Sequence, residues 1–141
     1  MIVKGYRGSM EIDEIKSLAE KGIYVFNSKC IAGKEHLEYA YMKAKEAFER
    51  KENIAKSFHI EIMLILTGRR QINQALKLAG MDDAEAFGAI AEKDFELGYE
   101  RDDSVLECTM EKIKYLGIEA DIGDKTCELA FENSALLELE R

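Results

Sequence analysis

The sequence predicts one mixed α/β or α+β domain spanning residues 1–141. Three short segments rich in β-branched and aromatic residues predict strands, at 2–6, 23–27 and 85–91. Between and after them, apolar residues recur at steps of three and four, which is the spacing of an amphipathic helix. The chain contains no proline, so no proline-rich linker divides it. Strands that alternate with more numerous helices are typical of a small mixed domain.

The first two predicted helices each follow a predicted strand. Ser9 is the expected N-cap of the first, because a serine hydroxyl can accept a hydrogen bond from the first helical turn. Gly22 stands where this helix should stop. A longer helix is expected from Lys34 through Phe48, with an apolar face opposite a charged one.

A further segment follows Asn53, the second expected N-cap, and its later part reads IEIMLIL. These residues favour a strand, yet the apolar residues of the whole segment also recur at helical spacing. Gly68 ends the segment in either conformation, and a short helix then closes at Gly80. Beyond the third strand we expect an acidic irregular stretch at 94–104 and then two helices, through Leu106–Leu116 and over 125–141.

The charge distribution is uneven. The net charge is −8, which argues against general nucleic-acid binding. Residues 29–77 nevertheless carry a local balance of +4, whereas residues 78–141 carry −12. A chain polarised in this way can present a basic face despite its acidic total.

The turn at Gly68 raises the question of a phosphate site, because a helix N-terminus offers its N–H groups to phosphate. TGRRQI has one glycine and no lysine followed by a hydroxyl residue, so it lacks both the P-loop and the dinucleotide-binding patterns. His36 and His59 have no HxxE or HxxxH partner nearby. The sequence therefore predicts a protein that is not an enzyme.

The cysteines and the apolar runs argue against several other classes of protein. Cys30, Cys108 and Cys127 are widely spaced without a CxxC pair, so we expect buried small hydrophobes, no metal and no cofactor. No apolar stretch is long enough to span a membrane, and the N-terminus lacks the apolar core of a signal peptide. A cytoplasmic protein is expected.

One segment, NIAKSFHIEIMLILTGRRQINQALKLAG at 53–80, is similar to a known family. Its matching positions are Asn53-Ile54-Ala55, Glu61 with an apolar run, Gly68-Arg69-Arg70-Gln71-Ile72, Ala75 and Gly80. Together with blocks at 25–48 and 130–140, the chain resembles the kinase-binding small subunit of the KEOPS complex, the family that includes the TPRK-binding protein of eukaryotes. The joint order of the blocks, rather than GRRQI alone, makes the resemblance specific.

The resemblance implies both a fold and a role. The fold has several helices around a small antiparallel three-stranded sheet, with the ambiguous segment 54–66 helical. KEOPS makes the threonylcarbamoyl modification of the adenosine beside the anticodon in ANN-decoding tRNAs, and this subunit is not the transferase. It binds the small lobe of the atypical KEOPS kinase, stimulates the kinase, and helps bring tRNA to the assembly through the tRNA's 3′ end. No small-molecule substrate is expected.

Two interfaces follow from the resemblance. The kinase is expected on an apolar patch of the last helix, for which the candidate residues are Leu129, Leu136, Leu137 and Leu139. A single-stranded tRNA tail needs cations along its backbone and planar groups to stack on its bases. The candidates from the basic segment are Lys29, Lys34, Lys56, Arg69 and Arg70.

The residues proposed for both interfaces can also have purely structural roles. The two arginines can instead be solvated, or paired with Glu61 or with a C-terminal carboxylate. The leucines can instead all belong to the core. The alternative function is a small nucleotide-binding or phosphoryl-transfer enzyme that uses the Gly68 turn.

Overall fold

A computed structural model describes residues 1–117, so the helix predicted at 125–141 lies outside the described residues. Within residues 1–117 the strands are β1 (Ile2–Arg7), β2 (Tyr24–Asn27), β3 (Ala86–Ala91) and β4 (Glu100–Arg101). The α-helices of the same part are α1 (Ile12–Glu20), α2 (Lys34–Glu49), α3 (Phe58–Thr67), α4 (Ile72–Ala79) and α5 (Met110–Tyr115). Short 3-10 helices at Ser28–Cys30 and Asp103–Leu106 follow β2 and β4.

The sheet is antiparallel throughout, with the strand order β2-β3-β1-β4. The mixed fold class is confirmed, but the expected count of three strands is wrong by one. The extra strand, β4, is a two-residue pairing of Glu100 and Arg101 with the end of β1. Both of its residues are exposed and charged, so the acidic stretch around it carries no alternating apolar pattern from which a strand is read.

Both faces of the sheet are covered. Val3, Phe26 and Ile90 belong to the larger core cluster, which contains the buried residues of α2 and α3. Tyr6 and Phe87 point to the other face, in a cluster that also contains Leu18 of α1. The central strand β3 is consequently buried along its whole length.

A pair of glycines allows the close approach of chain segments to the sheet. Gly5 of β1 and Gly88 of β3 lie opposite each other. A Cβ atom built on Gly5 would lie 2.7 Å from the carbonyl oxygen of Asp102, and one built on Gly88 would lie 2.8 Å from a methyl group of Leu106. The absence of side chains at this pair therefore makes room for the 103–106 turn.

Replacement of Gly5 by alanine should lower the free energy of unfolding by about 2 kcal/mol, because the added methyl group meets backbone that cannot move aside without disturbing the sheet. Urea denaturation of the Gly5→Ala variant measures this loss. Gly98→Ala is the matched control, since a Cβ on Gly98 meets no atom within 4 Å. Equal stability of the two variants would contradict the proposed close contact.

The ambiguous segment is helical, as the resemblance implied. Every residue from Glu61 to Thr67 of α3 is buried. A helix buried on all sides carries no polar face, and its sequence therefore shows the continuous apolar run that is equally typical of a buried strand. Tertiary packing decides the conformation here.

Both expected N-caps are wrong. Helix α1 begins at Ile12 with Glu11 at the cap position, two residues after the expected cap Ser9, and no side chain caps it. Helix α3 begins at Phe58, and the Ser57 hydroxyl accepts a hydrogen bond from the N–H of Ile60. Asn53 instead donates from Nδ2 to the carbonyl oxygen of Ala55 at 2.7 Å.

The Asn53–Ala55 loop is fixed by a buried carboxylate. Glu61 Oε1 accepts hydrogen bonds from the backbone N–H groups of Ile54, at 3.0 Å, and Ala55, at 2.8 Å. Glu61 is fully buried, and Ala55 is nearly so. The Asn-Ile-Ala block and the glutamate that follows it thus form one structural unit, in which the first turn of α3 holds the loop that precedes it.

Candidate nucleic-acid and partner interface

Arg69 lies in the turn between α3 and α4 and anchors the end of α5. Gly68 adopts a left-handed conformation with φ of +69°, and the Arg69 N–H bonds back to the carbonyl oxygen of Leu64. The guanidinium Nη2 atom donates to the carbonyl oxygen of Leu116, at 2.8 Å. A cation at the C-terminal end of a helix is favourable, because carbonyl groups there lack helical partners.

Helix α5 is held at two further points. The Tyr115 hydroxyl donates to the carbonyl oxygen of Leu78, at 2.7 Å, near the end of α4. The Nζ atom of Lys29 lies over the Tyr115 ring, 5.9 Å from its centroid. Lys29 and Arg69, which are 40 positions apart in the sequence, therefore contact the last residue of α5, Tyr115, and the residue after it, Leu116.

The other predicted cations are placed differently. Arg70 is exposed in the turn before α4, next to Arg69. Lys56 is exposed just before α3, whose ten residues separate it from Arg69 by roughly 15 Å. Lys34 is exposed at the start of α2, in a recess shared with Arg101. Lys29 and Arg69 thus contact the C-terminal end of α5, whereas Lys34 and Lys56 lie on other elements.

A cleft of about 430 Å³ opens beside Lys29 and contains residues that the sequence analysis missed. Lys112 and Tyr115 form part of its wall, and Lys112 Nζ donates to the carbonyl oxygen of Val105. Burial lowers the pKa of Lys112 to about 8. Glu85, Glu107 and Glu111 also line the cleft, so its walls present cations, carboxylates and an aromatic ring together. Lys112 and Tyr115 are three residues apart on a helix and therefore lie on the same face of it. This spacing in the sequence could have indicated that the two side chains lie close together.

The Gly68 turn does not have the strand–turn–helix arrangement of a phosphate-binding loop. The segment before Gly68 is a helix rather than a strand. The N–H of Gly68 bonds to the carbonyl oxygen of Ile65, and the N–H of Arg69 to that of Leu64. These two groups therefore satisfy the C-terminal carbonyls of α3 and are not offered to a ligand.

The two histidines connect parts of the core. His36 is fully buried, and its Nδ1 atom accepts a hydrogen bond from the N–H of Ala32 at 3.0 Å. Burial lowers the pKa of His36 to about 4, so the ring is neutral at physiological pH. His59 Nε2 lies 2.9 Å from the carbonyl oxygen of Val25, and burial lowers its pKa also. His59 is half-buried, whereas His36 is fully buried.

Cysteine chemistry differs from the expectation at one position. Cys30 is buried and free, whereas Cys108 is disulfide-bonded. The expected small buried hydrophobe is therefore confirmed for Cys30 and wrong for Cys108. Within residues 1–117, no three histidine, cysteine or carboxylate side chains gather as a metal site would require.

The predicted kinase-binding leucines, at 129, 136, 137 and 139, all lie outside the described residues. Among the helices described, none has both the length and the apolar character needed to cross a membrane.

Comparison with known proteins assigns the family. A family model described as "Kinase binding protein CGI-121" matches residues 11–134. The "Regulatory protein Cgi121" of Methanocaldococcus jannaschii is 34% identical over 152 aligned residues, which cover 100% of this chain and 99% of the relative. Both comparisons agree with the resemblance found in residues 53–80. The chain belongs to the family of the kinase-binding protein CGI-121.

Proposed function

We propose that this protein is a non-catalytic accessory subunit of the KEOPS complex that binds and stimulates the KEOPS kinase. The observation that supports this proposal is the family match over residues 11–134, together with a full-length relative described as a regulatory protein. The engagement of the Gly68 and Arg69 N–H groups within α3 gives no support to the alternative of a nucleotide-binding enzyme at this turn.

The second part of the proposal is that the protein helps recruit tRNA through its single-stranded 3′ end. Lys29 and Arg70 are exposed, Lys29 lies beside Tyr115 of α5, and the local charge balance over 29–77 is +4. A single strand needs a small number of cations along its backbone and planar groups that stack on its bases. Arg70 can do both, because its guanidinium group is planar as well as charged.

This part predicts modest, salt-sensitive binding that depends on the tRNA tail. Full-length tRNA should bind more tightly than tRNA that lacks its 3′-terminal single strand. Lys29→Glu and Arg70→Glu should each weaken binding and lower the slope of log affinity against log salt by about 0.7 or more, since fewer counterions are released from the strand. Fluorescence titration of labelled tRNA at several salt concentrations measures both effects.

Melting temperatures distinguish a loss of RNA contacts from a loss of stability in these variants. Arg69→Glu should lower the thermal stability of the protein as well as RNA affinity, because it removes the hydrogen bond to the Leu116 carbonyl oxygen. Lys56→Glu, at an exposed position just before α3, should keep the wild-type melting temperature. Equal affinity for the two tRNAs would show that the tail is not recognised, and loss of kinase binding in the Arg70 variant would reassign this surface to the kinase.

A further inference from the structure

An apolar groove lies between three helices. It has a volume of about 830 Å³, and its walls come from α1, α3 and α4. The aliphatic side chains that line it include Ile12, Ile15, Ile60, Met63 and Leu76. A concave surface of this size and composition is suited to receiving apolar groups from a ligand or a partner.

Helix α4 buries its small residues and exposes its large aliphatic ones. Its fully buried residues are the small ones, Ala75 and Ala79. Ile72 and Leu76 are 39% and 42% exposed, and their spacing of four residues places them on the same side of the helix. Ile12 of α1, across the groove from Leu76, is 59% exposed. Large aliphatic side chains exposed together, while alanines of the same helix are buried, indicate a surface that is covered by a partner.

The charged residues of the groove are mainly acidic. Glu11 and Glu20 lie on the α1 side, Asp82 lies beyond the end of α4, and Lys16 is the one basic residue among those that line the groove. In the part of the chain that the structure describes, none of these four forms an ion pair or a side-chain hydrogen bond. The carboxylates are therefore available to a cationic partner, and they disfavour an anionic one such as a fatty acid or a phospholipid headgroup.

We propose that this groove receives an amphipathic helix of a partner protein whose apolar face is flanked by lysine or arginine residues. Leu76 of α4 and Ile12 and Ile15 of α1 line the groove, so apolar side chains spaced by three or four residues on a helix laid along it can contact them. The acidic residues then face the flanking cations and fix the direction and the side on which the helix lies. The inference goes beyond the proposed function, since the residues expected to bind the kinase belong to the last predicted helix.

The test uses two synthetic helical peptides with the same leucine pattern, one flanked by lysines and the other by glutamates. Each is titrated into the ¹⁵N-labelled full-length protein, and amide shifts locate the site. The lysine peptide should bind at least tenfold more tightly than the glutamate peptide, with the largest shifts in α1 and α4. Leu76→Gln and Ile12→Gln should weaken binding about tenfold. Met42→Gln is the matched control, because Met42 is a similarly exposed apolar residue on α2.

A charge swap distinguishes specific docking from general attraction between a basic peptide and an acidic protein. The double variant with Glu20→Lys and Asp82→Lys should reverse the preference, so that the glutamate peptide binds more tightly. The proposal is overturned if neither peptide binds, if Leu76→Gln and Met42→Gln behave alike, or if the double variant keeps the original preference. Circular dichroism confirms that each variant is folded before it is titrated.

Discussion

Replacement of Glu61 by alanine should lower the free energy of unfolding by about 3 kcal/mol. The Glu61 carboxylate accepts hydrogen bonds from the N–H groups of Ile54 and Ala55 in a fully buried position. Each hydrogen bond to a charged group contributes roughly 1.5–3 kcal/mol, and the loss of the acceptor leaves the buried Ala55 N–H unsatisfied. We therefore expect the Asn53–Ala55 loop to detach from α3 in this variant.

Equilibrium urea unfolding measures the loss, and two variants make the result specific. Glu61→Gln keeps an oxygen acceptor in place and should cost clearly less than the alanine variant. Glu52→Ala removes an exposed carboxylate just before the same loop and should change stability by less than about 0.5 kcal/mol. A Glu61→Ala variant as stable as Glu52→Ala would refute the role assigned to the buried carboxylate.

Leu136→Glu and Leu137→Glu should each weaken kinase binding by roughly thirtyfold, which corresponds to about 2 kcal/mol. A few central apolar anchors dominate the energy of such interfaces, and a glutamate in their place buries an unpaired charge. This prediction depends on the proposed function and on the sequence pattern of the last predicted helix. Calorimetric titration of the kinase with each variant provides the measurement.

Met42→Glu is the control for the effect of added negative charge, because it places a glutamate on an exposed apolar position of α2. Its kinase affinity should match that of the wild-type protein. If the leucine variants are folded by circular dichroism and bind the kinase with unchanged affinity, the last helix is not part of the interface.

The sequence predicts the helices of this fold better than their ends. Periodic apolar residues indicate α2 because its buried positions alternate with a solvated face, and the same reasoning gives α4. The caps were wrong because Ser9 and Asn53 have the right chemistry at the wrong place: α1 starts only at Ile12, and the Asn53 side chain bonds to its own loop. Local preference suggests where a helix can start, and tertiary contacts decide among the possibilities.

The sequence indicates which basic residues belong to the candidate interface but not which residues they contact. Local charge identified Lys29 and Arg69 as members of a basic segment. The contacts that bring both to α5 join residues more than 40 positions apart, Arg69 to Leu116 and Lys29 to Tyr115. Single-sequence patterns carry no information about such pairings. Glu61 shows the same limit, since pairing with an arginine was considered whereas its Oε1 atom binds backbone N–H groups nearby.

The most direct test of the proposed function is to titrate the purified KEOPS kinase with the wild-type protein and to measure complex formation and ATP hydrolysis in the same samples. We expect a saturable complex of fixed stoichiometry, a rise in ATP hydrolysis by the kinase as the complex forms, and no hydrolysis by this protein alone. Absence of a complex, or steady ATP turnover by this protein alone that survives repurification, would contradict it.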